Sequence, residues 1–237
     1  MRLRMRVHYV SGTARLQRVV MTAAPLRRTH ITKVLWRHSG ALTSSRADLL
    51  RLGALFRLAA ASPHSAVFLP LRANPVGECV ADWADSHGLA DLVIVRRDVH
   101  LRPSAWPSIR ARLGRRGAGP GTLSTMLTPA PRPAVDNRDW DWMRQRLSVA
   151  EHGDTMVLSG WPEALYYAGD ELTRCGNEVA VNSEIRRYGG PALLGQFNGP
   201  GHRSGRRDAS WECMVLAVDE IFHRNRWQPT ASGSDPK

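Results

Sequence analysis

The chain has almost no lysine. Of its 33 basic residues only Lys33 and Lys237 are lysines and 31 are arginines. Such a skew, beside abundant alanine, glycine and proline, is the mark of a GC-rich genome. The formal net charge of +12 is therefore in part a coding habit, which weakens its usual implication of a polyanionic partner.

Acid is missing from the first twenty residues, MRLRMRVHYVSGTARLQRVV, which carry Arg2, Arg4, Arg6, Arg15 and Arg18. The segment reads either as a basic arm or as sequence ahead of a start at Met21. It lacks the uninterrupted apolar stretch of about 7 to 15 residues that a signal peptide needs. No window approaches the roughly 18 apolar residues of a membrane span, so the expectation is a cytoplasmic protein with no membrane partner.

Cysteine is scarce, odd in number and dispersed. Cys79, Cys175 and Cys213 form no C-x-x-C pair, which argues against zinc ribbons and disulfide frameworks. Each falls in an apparently helical pattern and reads as a small buried apolar residue. The nine histidines include no H-x-x-x-H or H-x-H pair, so no metal site is expected. The lysine and spacing of a P-loop, the G-x-G-x-x-G fingerprint and the G-x-S-x-G elbow are all missing, and the sequence names no cofactor.

What remains is a globular pattern, with 43% hydrophobic residues in 237, enough for a substantial core. The run TKVLWR (32–37) reads as a strand and HSGALTSS as a loop. SRADLLRLGALFRLAAAS reads as a helix capped by Ser44 or Ser45, with Leu49, Leu52, Leu55, Phe56 and Ala59 on its apolar face. SAVFLPL is a buried strand, VGECVADWADSH a helix ended by Gly88, and DLVIV a third strand.

From residue 96 to 137 the pattern dissolves. Pro103 and Pro107 frame a short helix there, and GAGPG and PAPRP read as breakers. A helix over about 139–150 follows, and then DTMVLSGWPEALYYAGDEL reads as strand, turn and helix. Pro162 suits the first turn, Leu165, Ala168 and Leu172 form the stripe, and Gly176 is the expected stop. EVAVN is the fifth strand, and residues 209–222 a last helix.

This alternation predicts an α/β fold, a three-layer, doubly wound, mostly parallel sheet of about five strands with a long irregular insertion. The expected organisation is a basic extension over 1–28, one α/β domain over 29–226 with an inserted loop region at 99–137, and a disordered tail over 227–237.

In such sheets ligands bind outside the carboxyl ends of the strands. That rule gathers Arg37, Ser39, Arg72, Asn74, Arg97, Ser159, Gly160 and Asn182 as binding residues for an anionic, nucleotide-like small molecule. Glu163, Asp98, Glu184 and His38 become the candidate acids and bases of a hydrolase or transferase. Glu163 has a bland role too, because a carboxylate in a helix's first turn gains about 0.3 to 1 kcal/mol from the dipole.

The alternative is a nucleic-acid-associated protein. It would bind through Arg102, Arg110, Arg112, Arg115 and Arg116, with Trp106 as a stacking residue, through Arg203, Arg206 and Arg207, and through the basic arm over residues 1–20. A non-catalytic interaction protein on an enzyme-like fold is the third reading.

Overall fold

The computed structural model describes residues 2–10, 15–33, 39–113, 119–124, 147–179, 181, 192–200 and 210–218. Its centre is β6 (Leu89–Arg96), buried from Ala90 to Val95. Successive strand side chains point to opposite faces, so Leu92 and Ile94 join one core cluster and Val93 and Val95 the other.

Three strands pair with β6. The antiparallel β5 (Ser65–Leu69) faces Leu92 to Val95, and the parallel β9 (Thr155–Gly160) faces Asp91 to Arg96. The antiparallel β3 (Thr29–Thr32) holds Leu89 and Ala90. From β3 the sheet runs outward through β4 (Ser39–Ser45) and β11 (Ser210–Val218) to β10 (Ala192–Pro200). From β5 it runs through β2 (Arg18–Thr22) and β1 (Arg2–Tyr9) to β7 (Gly119–Ser124). β8 (Ser148–His152) pairs with β9 across a tight turn at Gly153, whose φ of 58° suits glycine.

Among the described strands only β4 with β11, β2 with β5 and β6 with β9 are parallel. The sheet is mixed and mostly antiparallel, which overturns the doubly wound, mostly parallel expectation. The reason lies in the helix between β5 and β6. α2 (Glu78–His87) buries Val80 in a small cluster of its own with Val76 and Leu89. It therefore closes the end of the sheet instead of crossing a face, and the chain returns antiparallel.

α1 (Arg46–Ala61) follows its sequence closely. Ser45 accepts a hydrogen bond from the Asp48 N–H at 3.3 Å, and Leu49, Leu52, Leu55, Phe56 and Ala59 are buried. α4 (Pro162–Val179) lies beside it, burying Leu165, Ala168, Leu172 and Cys175 in the same cluster. α3 (Trp106–Leu113) covers the opposite face with Trp106, Ile109 and Leu113.

Several other expectations are corrected. Residues 2–9 and 18–22, read as part of a basic extension, are β1 and β2. The HSGALTSS loop is largely β4, and of the strand expected at 32–37 only Thr32 belongs to β3, residues 34–38 lying outside those described. GPGTLS forms β7, because Gly121 lies so close to Met5 and Val7 that a Cβ would meet the Val7 Cγ2 at 3.0 Å.

Ser148 to Ala150, expected to end a helix, belong to β8, and residues 125–146 are not described. Gly176 does not end α4; a Cβ there would meet the Leu50 side chain at 3.1 Å, so the glycine serves helix packing. Glu178 and Val179, read as the fifth strand, are the last residues of α4. Between the expected fifth strand and last helix lies β10, and the expected last helix is β11, with Cys213 on a strand. Residues 227–237 lie outside those described.

α1 and α4 meet through Gly53 and Gly169. A Cβ on Gly53 would stand 2.6 Å from the Gly169 carbonyl oxygen, and one on Gly169 would stand 2.8 Å from that of Gly53. Backbone must move to admit either methyl group. Gly53→Ala is expected to destabilise the chain by about 1 to 3 kcal/mol, the usual cost of overpacking. A urea titration would show this as a lower midpoint with an unchanged slope; an unchanged midpoint would contradict the close approach.

Candidate functional site

The strand-end residues do not form one crevice. β6 and β9 are parallel, with Val95 opposite Ser159 and Arg96 opposite Gly160. Their carboxyl ends bring Arg97, Asp98, Ser159, Gly160 and Glu163 to one edge. β5 runs the other way, so Arg72 and Asn74 lie at the opposite edge, beside Asp91 at the start of β6. Ser39 opens β4, where its backbone pairs with Glu212. Arg37, His38, Asn182 and Glu184 lie outside the described residues.

At the first edge Glu163 is exposed in the opening turn of α4, where the helix dipole accounts for it. Asp98 is half-buried and gripped by Arg96, whose Nε and Nη2 donate to its two oxygens at 3.1 and 2.5 Å.

The second edge is an ionic lattice. Asp91 is buried; its Oδ1 accepts the Arg72 backbone N–H at 3.1 Å, and Arg110 Nη1 stands 2.9 Å from its Oδ2. That Oδ2 has no hydrogen bond of good geometry, so its contact with Arg110 is a charge pair off the hydrogen-bond line. Arg110 also lies 5.5 Å over the Phe68 ring, and Phe68 meets Trp106 edge to face at 5.0 Å. Asp154 joins Arg72 at 2.6 Å and Lys33 at 2.7 Å. The Lys33 hydrogen bond and charge hold its carboxyl below the usual range, aided by Arg72 and Arg110. Asn74 Nδ2 donates to the Leu26 and Thr29 carbonyls, both at 2.7 Å.

Arg72, Asn74 and Arg110 are thus engaged by structural partners. Trp106 is 1% exposed, which removes it as a platform for bases and corrects that expectation. Arg102 and Arg112 are exposed on either side of it. Arg115, Arg116, Arg203, Arg206 and Arg207 lie outside the described residues.

The sequence reading passed over the arrangement of β1. Its burial alternates from Arg2 to Arg6, with Leu3 and Met5 in the core and Arg2, Arg4 and Arg6 exposed on the other face. The signal was present in RLRMRV, a period-two pattern, but the arginines were counted as charge and not read as the polar half of a strand. His8 lies opposite Val19, and Arg6 opposite Met21. Val19 and Met21 belong with the cluster that α3 covers, so the arginine face looks to that side of the sheet.

Among the described residues no group of three or more His, Cys, Asp or Glu could hold a metal ion. Burial pushes the Cys175 thiol up to about 11, which makes it a poor nucleophile. No helix among the described residues is long and apolar enough to cross a membrane. Comparison with known proteins gives no match to a family model, a curated protein or a solved structure.

His30 carries a titration with a clear consequence for folding. It is buried on β3, its Nε2 lies 3.2 Å from the Pro75 carbonyl, and burial lowers its pKa. The unfolded chain then binds the proton more readily than the folded one. The stability from the neutral ring is complete above the unfolded pKa of about 6.5 and is lost as pH falls from there toward the folded value. Urea titrations at several pH values should show His30→Gln losing less stability between pH 7 and 5 than the parent chain. Equal losses would remove His30 as the source.

Proposed function

We propose that the chain binds nucleic acid through the arginine face of β1. The observation that carries this reading is a contrast between arginines. Arg51, Arg57, Arg96 and Arg174 each pair with a carboxylate, on Asp48, Asp170, Asp98 and Glu171. Arg2, Arg4 and Arg6 are exposed and have no carboxylate partner among the described residues.

Spacing supports the same reading. Alternate residues of an antiparallel strand lie about 6.8 Å apart, commensurate with every second phosphate of one DNA strand at about 3.4 Å of axial rise each. Rigidity supports it too, since β1 is paired on both edges, by β2 and β7. The backbone positions of the three arginines are set in a row by that pairing, which lowers the part of the ordering cost that falls on the main chain. Contacts of this kind position a backbone without reading sequence.

An anion-handling enzyme at the strand ends has less to support it. Glu163 stands exposed with no hydrogen bond or ion pair among the described residues, and Asp98 is tied to Arg96.

The test is fluorescence anisotropy with labelled single- and double-stranded oligonucleotides across a salt series. Affinity should fall as salt rises, and replacing Arg2, Arg4 and Arg6 together with Gln should flatten the log–log slope by about three, near one per phosphate contact. Leu3 and Met5 remain, so the fold should persist by circular dichroism. Unchanged affinity and slope in the triple variant would overturn the reading, as would binding to anionic lipid vesicles with none to nucleic acid.

A further inference from the structure

Beyond β6 the chain makes a hook that the proposed nucleic-acid face does not use. Residues Arg97–Val99 form a 3-10 turn, His100 takes a left-handed backbone at φ 52°, and a second 3-10 turn at Pro103–Ala105 leads into α3. Between this hook and the residues ahead of β2 lies an open cavity of about 340 Å³, within the range of small-molecule sites.

Its walls are apolar. Leu16 comes from the segment before β2, Val99 and Leu101 from the hook, Ala105 from its second 3-10 turn and Ile109 from α3. Its polar lining is entirely basic, supplied by Arg15, His100 and Arg102, with no acid. Arg15 is oriented, because its Nη1 donates to the Asp98 carbonyl oxygen at 3.2 Å, which steadies the guanidinium beside the opening. His100 is the one described non-glycine residue with positive φ. Such a conformation costs energy and persists where the surroundings impose it.

We propose that this cavity is a binding site for a small amphipathic carboxylate, a molecule with an apolar body and one carboxylate end. The apolar walls take the body out of water. The guanidinium fork of Arg15 or Arg102 matches a carboxylate in geometry and charge. An apolar cavity this size suits a singly charged carboxylate better than a heavily hydrated dianion, which would lose its water without enough donors to replace it. The residues involved lie at 15–16 and 99–109, so no local motif announces the site.

Calorimetric titration with octanoate, octanol and inorganic phosphate tests the assignment. Octanoate should bind saturably and at least tenfold tighter than octanol, which has no charge, or phosphate, which has no apolar body. Arg102→Gln, an exposed change, should weaken octanoate severalfold or more with no loss of thermal stability. Ala105→Phe, at a half-buried position on the wall, should block it by filling the cavity. A failure of octanoate to bind would overturn the proposal, as would equal affinity for phosphate or octanoate binding untouched by both variants.

The site stands apart from the arginine face in the same experiments. Replacing Arg2, Arg4 and Arg6 with Gln should leave octanoate affinity unchanged, and Ala105→Phe should leave the salt slope for nucleic acid unchanged. Loss of octanoate binding in the triple variant would tie the anion to β1 and overturn the cavity assignment.

Discussion

The structure depends on β6 being buried on both faces and paired on both edges. A strand in that position can carry almost no polar side chain, and Ala90, Leu92, Val93, Ile94 and Val95 obey this. The exception is Asp91, whose burial is tolerated because the Arg72 N–H and the Arg110 guanidinium meet its two oxygens. An unpaired carboxylate there would face a desolvation penalty of several kcal/mol. Its partners tie the middle of α3 and the turn after β5 to the strand. Alternation along β6 then decides the two layers, α1 and α4 behind Leu92 and Ile94, α3 behind Val93 and Val95.

Elements whose identity depends on local chemistry were legible in the sequence. The Ser45 cap, the 3.6-residue stripe of α1, Gly88 closing α2 and Pro162 opening α4 all act within a few residues. The largely buried runs of β5, β6 and β9 were legible as well, since four to six consecutive apolar or small residues leave few alternatives. Pairing direction was not, because a helix between two strands predicts a parallel crossover only if it covers a sheet face. α2 lies at the sheet's end, a fact that no residue within ECVADWADSH reveals. SWECMVLAV shows the other limit: a largely apolar nine-residue segment fits a strand or a helix, and its neighbours decide.

Part of the site was legible by position and little of it by role. The rule for strand ends placed Arg97, Asp98 and Glu163 together, because β6 and β9 really are parallel. It failed for Arg72 and Asn74, since the antiparallel β5 sends them to the far edge. The net charge hid a distinction that only neighbours could make. Arginines facing Asp48, Asp98, Asp170 and Glu171 are largely neutralised within the fold, whereas those of β1 are not. Composition sums the two groups, and the surface field a ligand meets is set by the second.

The two sheet faces differ in how much helix they receive. One carries α1 and α4, sixteen and eighteen residues long, packed closely enough to need glycine at their crossing. The other carries α3, of eight residues, which at 1.5 Å per residue spans about 12 Å. That cannot cover a sheet whose neighbouring strands stand about 4.8 Å apart beyond two or three of them. Among the described residues β1 lies past its reach, and arginine at every second position suits a strand face left to water while leaving charge in a row. The same shortness leaves space between Ile109 and Leu16, where the hook through His100 forms a cavity and not a closed core. Both candidate sites therefore follow from one asymmetry among the described residues, a sheet armoured on one side by α1 and α4 and covered on the other by the short α3.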